Sequence, residues 1–179
     1  ISMFIAPKFL ADGSRNAVRC IGVEEKMGIH ASPTCTLAYE GAKGWLIGEG
    51  NRGLAAMFTM MNAARLNVGM EGVAVAEAAY QKALAYAKER RQGGALIIEH
   101  PDVRRMLMTM KSGIEAARAL MCLEGAKLDQ ALHHPDANAR KAAQAWVELL
   151  TPVVKGWSTE LAVEIASLGV QVHGGMGFI

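Results

Sequence analysis

The sequence predicts a mixed, mainly α chain: a partial antiparallel β region over residues 1–52, then an up-down bundle of long helices over residues 53–179. Three observations carry this. Leu54 to Arg91 contains no proline and is dominated by Ala, Leu, Met, Glu, Lys and Arg, all good helix formers. Two further stretches repeat apolar residues at steps of three and four. Residues 1–50, in contrast, are short runs of β-formers broken by glycine and proline turns.

Composition bounds the rest. The chain has 179 residues, 51% apolar and 20% charged, which marks a folded chain long enough for a sizeable core. A net charge of +2 is too small to argue for nucleic acid or an anionic membrane surface. No run of eighteen apolar residues occurs, so no membrane partner is expected. The three cysteines, Cys20, Cys35 and Cys122, are odd in number and widely spaced, which fits a reducing compartment. His133 and His134 are adjacent and would point to different faces of a helix, and no Cys-x-x-Cys or His-x-x-x-His pair exists, so no metal site is expected. The chain opens on Ile1-Ser2-Met3-Phe4-Ile5, as if in mid-strand, and closes on Gly177-Phe178-Ile179 with no terminating pattern, so a piece of a longer protein is expected.

In chain order, Ile1–Ala6 reads as a short strand ended by Pro7, and Asp12-Gly13 as a turn. Val18–Glu24 alternates in a way that fits a strand with both sides partly covered. Lys26–Pro33 is a loop, and strands follow at 34–39 and 42–47, suggesting a sandwich or barrel whose sheet is incomplete. Gly48-Glu49-Gly50-Asn51-Arg52-Gly53 matches G-x-G-x-x-G. The helix that follows is about twice the length of a crossover helix and no strand returns after it. The simpler reading is a flexible loop that starts the helix.

The first helix carries a stripe through Phe58, Met61, Arg65, Val68, Gly72, Val75, Ala79, Ala83, Tyr86 and Arg90. A cation stands near each end. Either both meet anionic partners, or both snorkel to water from buried stems. Gly69, Gly72 and Ala76 form a row of small residues where another helix or a ligand approaches closely. Gln92-Gly93-Gly94 would end the helix with a left-handed cap. A second helix is expected from near Glu99, with Pro101 in its first turn, to near His133, on a stripe through Val103, Leu107, Met110, Ile114, Ala117, Met121 and Leu128. Asp136 would cap a third, on a stripe through Ala142, Trp146, Leu150, Val153, Trp157, Leu161, Ile165 and Leu168. Pro152 inside it should kink the helix or split it near Thr151. Glu124, on an apolar stripe, is expected to pair with a lysine of a neighbouring helix.

Two places could hold chemistry. Asn62 and Arg65 are neighbours on one helix face and offer an amide and a fixed cation, suited to a ligand with phosphate or carbonyl groups; a solvated helix edge explains them equally. Gln171-Val172-His173-Gly174-Gly175-Met176-Gly177 has three glycines in four residues, which exposes backbone N–H groups to an anion or lets a ligand lie against the main chain. A plain C-cap needs only one. No paired acids and no Ser-His-Asp set stand out.

Asn62-x-x-Arg65, Glu89-Arg90-Arg91-Gln92-Gly93 and Gln171 to Phe178 together resemble the landmarks of the acyl-CoA dehydrogenase family, in order and spacing, across nearly the whole chain. Gly28 to Cys35 and Met60 to Arg65 are more similar to the branch that includes methylmercaptopropionyl-CoA dehydrogenase. The resemblance implies the tail of a middle β domain (1–52) and most of a C-terminal helical domain (53–179), in a flavoprotein that removes hydrogen from the α and β carbons of an acyl-CoA thioester. A glutamate takes the proton, FAD takes the hydride, and electron-transferring flavoprotein reoxidises the flavin. It implies that Asn62 and Arg65 meet the CoA, and that Arg90 reaches the FAD pyrophosphate of a neighbouring subunit. Gln171, Gly174 and Gly175 would line the adenosine-diphosphate end, and the assembly would be a dimer or homotetramer. A bacterial member would be cytoplasmic, a eukaryotic one mitochondrial. An acyl-CoA oxidase shares these motifs, and a non-catalytic helical assembly module is the rival of another class.

Two departures matter. The family's usual glutamate lies downstream of Gly-x-Gly-Phe, and the alternative position beside the helix arginine is Ala64, so no catalytic base is assigned in this chain. The slot before the second glycine of the Arg90 motif, usually aromatic, is Gly93, which puts one FAD contact in doubt.

Overall fold

A computed structural model describes all residues, 1–179. The chain divides into two compact units, Ile1–Met60 and Met61–Ile179. No helix is long and apolar enough to cross a membrane.

In the first unit, β1 (Met3–Ile5) pairs antiparallel with β4 (Trp45–Ile47), and β2 (Val18–Val23) with β3 (Cys35–Tyr39). The strands are antiparallel as expected, and they form two separate two-stranded ladders. Nor are both sides of β2 covered: Ile21 and Val23 are exposed. What ties the unit together is polar. Asn16 is buried and uses its whole amide: Nδ2 donates to Pro7 O at 2.9 Å and Lys43 O at 2.8 Å, while Oδ1 accepts from Lys43 N at 2.9 Å and Ala17 N at 3.0 Å. The glycine-rich loop after β4 turns through positive φ at Gly48 (68°) and Asn51 (65°). At its end, Gly53 donates to Ile1 O, and a Cβ there would collide with Met3 N. Its glycine serves strand-to-helix packing, and a hairpin follows the helix where a dinucleotide fold would have a parallel strand.

The long helix α1 (Gly53–Glu89) stops at Glu89, short of Arg91. The two glycines beyond it do not cap it. Gly93 (φ 64°) and Gly94 (φ 84°) are the central residues of a two-residue hairpin joining β5 (Arg91–Gln92) to β6 (Ala95–Leu96). Two successive positive φ values are what such a turn requires, and glycine meets them without strain. A short 3-10 turn, Ile97–Glu99, leads to α2 (Pro101–His133), with Pro101 in its first turn as expected. Asp136 caps α3 (Ala137–His173), accepting from Asn138 N at 3.1 Å and Ala139 N at 3.3 Å. Pro152 does not split α3, which is one continuous helix of 37 residues. A four-residue helix, α4 (Gly175–Phe178), ends the chain.

The second unit is an up-down-up stack. A Cβ on Gly69 would meet Val154, one on Gly72 would meet Ser158 O at 2.6 Å, and Gly169 lies against Ala79, so α1 and α3 run the same way in close contact. The small-residue row thus faces a helix. Gly113 meets Leu161 and Ile165, and Met110 meets Gly169, so α2 runs the opposite way. The core holds Val73, Ala76, Ala83, Ala87, Met110, Ile114 and Ile165. Two of the expected stripes hold at Gly72, Ala83, Leu150 and Ile165 and miss at other positions. Val75 is 54% exposed while Val73 and Ala76 are buried. On α3, Trp146 (48%) and Trp157 (40%) are open and Val147, Val154, Ser158 and Ala162 are inside. At Ser158 the cause is the close α1–α3 approach: backbone against the Gly72 Cα leaves no room there for an indole, and a small residue takes the buried position. Glu77 accepts from Arg118 at 2.6 Å, joining α1 to α2, and that guanidinium holds its carboxyl below the usual range.

Candidate functional site

The end of α1, the β5–β6 hairpin, the start of α2 and the end of α3 enclose a cavity of about 250 Å³. Each wall follows from local sequence. Tyr86 lies one turn before the end of α1, and Arg90 is the first residue to leave that helix, its N–H still bonded to Tyr86 O at 2.9 Å and its carbonyl accepting from Ile97 N at 2.9 Å. Both sit on the rim because the hairpin turns the chain back there. His100 stands just before Pro101, and its Nε2 lies 3.0 Å from Gln92 O, bracing the hairpin. A Cβ on Gly93 would lie 3.5 Å from the His100 ring. An imidazole therefore occupies the space beside the slot that the sequence leaves without an aromatic.

The opposite wall is the last turn of α3. Gln171, Val172, His173 and Gly174 line it. His173 stacks on Tyr86 with ring centroids 4.5 Å apart, and its Nδ1 donates to Gly169 O at 2.7 Å. A carbonyl only accepts, so that bond places a proton on Nδ1. The three glycines separate by role. Gly174 has φ 60° and ψ −137°, a backbone closed to other residues. Gly177 packs where a Cβ would meet Val170 O at 2.5 Å. Two of the backbone N–H groups expected to be open are used: Gly174 N donates to Gln171 O at 3.0 Å, and Gly177 N to Gly174 O at 2.9 Å. Gly175 alone has neither a positive φ nor any neighbour within 4 Å of a built Cβ.

Of the expected site residues, Arg90, Gln171 and Gly174 come together in this cavity, with Gly175 next in the chain. Arg90 forms no ion pair with any carboxylate of the chain. A mouth with one unpaired guanidinium, ring surfaces and no acid suits an anion carried on a planar group. Asn62 and Arg65 are elsewhere, roughly 38–42 Å earlier along the α1 axis by helical rise; Asn62 is exposed and Arg65 half-buried. Sequence reading missed Tyr86 and His100. The signal for both was position: Tyr86 is one turn before Arg90, and His100 immediately precedes the proline that opens α2. Glu124 was also misread. It has no lysine partner; Thr151 Oγ1 lies 2.7 Å from its Oε1.

A sequence model of the family described as acyl-CoA dehydrogenase, C-terminal domain, matches residues 51–179. The chain belongs to the acyl-CoA dehydrogenase family. It is 50% identical to 3-methylmercaptopropionyl-CoA dehydrogenase of Ruegeria pomeroyi, over all of this chain and 33% of that protein. It is 39% identical to the broad-specificity linear acyl-CoA dehydrogenase FadE5 of Mycobacterium tuberculosis, again over all of this chain and 33% of that protein. Among solved structures, ACDH-11 of Caenorhabditis elegans in complex with C11-CoA superposes with a TM-score of 0.87 at 22% identity, over 99% of this chain and 30% of that one, and shares the fold. This acyl-CoA dehydrogenase chain thus spans about a third of the length of such relatives, and within that third lies the Arg90 cavity.

Proposed function

We propose that the protein carrying this chain is an FAD-dependent acyl-CoA dehydrogenase that introduces a double bond between the α and β carbons of an acyl-CoA thioester. Residues 1–52 belong to the tail of its middle β domain and 53–179 to most of its helical domain. The single observation that carries this reading is the cavity shared by Arg90, Gln171 and Gly174, with the arginine left unpaired by its own chain. The donor set fits a dinucleotide. Arg90 presents a planar fork to phosphate oxygens, Gln171 offers an amide, and Gly174 with Gly175 lets a nucleotide lie against the main chain. His100 adds ring surface beside Gly93. FAD, when bound, supplies the two-electron acceptor. The chain's part is to hold its nucleotide end and, through Asn62 and Arg65, the CoA of the substrate.

Arg90 would serve the flavin of a neighbouring subunit, which makes a dimer or homotetramer the working form. Electron-transferring flavoprotein is the proposed electron acceptor, and the cytoplasm or mitochondrial matrix the compartment. The test is the full-length protein carrying Arg90→Ala. Flavin absorbance per subunit should fall after gel filtration, and added FAD should restore bleaching by an acyl-CoA. Full flavin retention in that variant would overturn the assignment of Arg90. Hydrogen peroxide released at each turnover would make the enzyme an oxidase, and no flavin in the parent protein would leave an assembly module.

A further inference from the structure

The second strand pair brings together two thiols that the proposed dehydrogenase reaction does not use. In the β2–β3 ladder Cys20 stands opposite Leu37 and Val23 opposite Cys35, with a register shift between Cys20 and Gly22. Paired residues share a face, and Leu37 and Cys35 share one because they are two apart on β3. Cys20 and Cys35 are therefore diagonal neighbours on the same face. The Cys20 thiol leans along its strand towards that neighbour: Sγ lies 3.3 Å from Gly22 O, and Gly22 is paired with Thr36, next to Cys35. Both thiols are exposed and free. The Cys20 thiol also acts on its neighbour, holding the Cys35 thiol above its ordinary value.

We propose that Cys20 and Cys35 form a dithiol that a hydroperoxide oxidises, reversibly, to a disulfide across the β2–β3 bulge. The steps balance. Cys20, as thiolate, attacks one peroxide oxygen; the O–O bond breaks, the other oxygen leaves with a proton as water or alcohol, and Cys20 becomes a sulfenic acid. Cys35 then attacks the Cys20 sulfur, the S–O bond breaks, and the hydroxyl leaves as water with the Cys35 proton. Two thiols have given up two electrons and two protons, and the peroxide has been reduced. In this assignment Cys20 is the first nucleophile and Cys35 the resolving thiol, an order that the Cys35→Ser variant tests. A disulfide needs Cα atoms within about 7 Å, and diagonal neighbours stand about 7–8 Å apart. The ladder must give by about an ångström. The place to give is Ile21, the exposed residue that the register shift leaves unpaired. A bond closed at that cost is readily reduced.

The experiment treats the reduced full-length holoprotein with hydrogen peroxide, alkylates remaining thiols with N-ethylmaleimide and maps them by peptide mass. The expected result is a Cys20–Cys35 pair lighter by two hydrogens and closed to alkylation, restored by dithiothreitol, with Cys122 still alkylated. In Cys35→Ser, Cys20 should stop at a sulfenic acid that dimedone traps. The proposal is overturned if Cys20 and Cys35 stay alkylated like Cys122. It is equally overturned if Cys20 goes to sulfinic acid without bridging, or if its disulfide partner is Cys122 or another subunit. Flavin content and acyl-CoA bleaching report on the dehydrogenase reading separately and do not enter this result.

Discussion

Glu124 is the deepest charge-bearing side chain in the bundle, 1% exposed, and its surroundings decide its protonation. Thr151 Oγ1 lies 2.7 Å from Glu124 Oε1 and 2.7 Å from Val147 O. A hydroxyl has one hydrogen, and both neighbours are oxygens. If the carboxyl were ionised, only one contact would be a hydrogen bond and the other would set oxygen against oxygen. If it is protonated, it donates to Thr151 Oγ1, which donates to Val147 O, and both contacts are bonds. Burial pushes the Glu124 carboxyl up, against the smaller opposing effect of Thr151, and no cation stands within salt-bridge reach. Burial therefore favours the neutral form of Glu124, and its Oε2 has no partner.

Thr151→Val keeps the shape but strips the carboxyl of its one partner, which should cost about 1–3 kcal/mol. Glu124→Met removes the unpaired oxygen and leaves Thr151 bonded to Val147, so it should be neutral or stabilise by about 1–2 kcal/mol. The double variant should match Glu124→Met, giving a coupling of about 1–3 kcal/mol. The pH dependence has a definite sign. A carboxyl raised on folding contributes fully below its unfolded value of 4.5, and that share declines as pH rises through the folded value. Glu124→Gln should lose this decline. Urea unfolding followed by circular dichroism at about pH 5 and about pH 8 measures both effects. A Glu124→Gln variant that keeps the parent's slope would show that Glu124 is not the titrating group. A cost of about 3 kcal/mol or more for Glu124→Met, the penalty for orphaning half of a buried ion pair, would show instead that the carboxylate is ionised and paired.

Other perturbations follow from single contacts. Gly72→Ala sets a Cβ 2.6 Å from Ser158 O and 2.8 Å from Ser158 C, both backbone, so it should cost about 1–3 kcal/mol in denaturant melts despite alanine's better helix propensity. Gly69→Ala meets the Val154 Cγ1 first, a side chain that can turn, and should cost less. Asn16→Ala opens all four bonds that tie the first unit and should lower its stability by about 2–3 kcal/mol, read as faster proteolysis within residues 1–60. Glu77→Gln should lose about 0.5–1 kcal/mol at neutral pH. Because Arg118 lowers this carboxyl, the loss should vanish as pH falls through the folded value, opposite in direction to Glu124.

What the sequence made legible was whatever a local rule fixes. Helix starts were readable because a cap is a short-range bond: Asp136 accepts from Asn138 and Ala139, and Pro101 needs no partner for a nitrogen that has no hydrogen. The small row at Gly69 and Gly72 was readable because glycine in a helix has a cost that only close approach offsets. The failures have one physical source, which is that a partner surface chooses among candidates that one helix alone leaves equal. Trp146, Val153 and Trp157 lie on a perfectly good helical stripe, and hydrophobicity ranks them above Ser158 and Ala162. The contact with Gly72 reverses that ranking, since a helix packed backbone to backbone admits only what is small. Glu124 and Gly93 belong to the same class. A buried acid seen on one strand of text asks for a cation, but the facing helix offers a hydroxyl already committed to a carbonyl. A glycine after a helix asks to be a cap, but Arg91 and Gln92 find Leu96 and Ala95 to pair with, and the hairpin claims it. That hairpin is what carries Arg90 off the helix and onto the cavity rim, opposite the α3 terminus. The letters around Arg90 form a motif; that Arg90 lines one cavity with Gln171 and Gly174 follows from a turn whose two glycines, read alone, look like a helix cap.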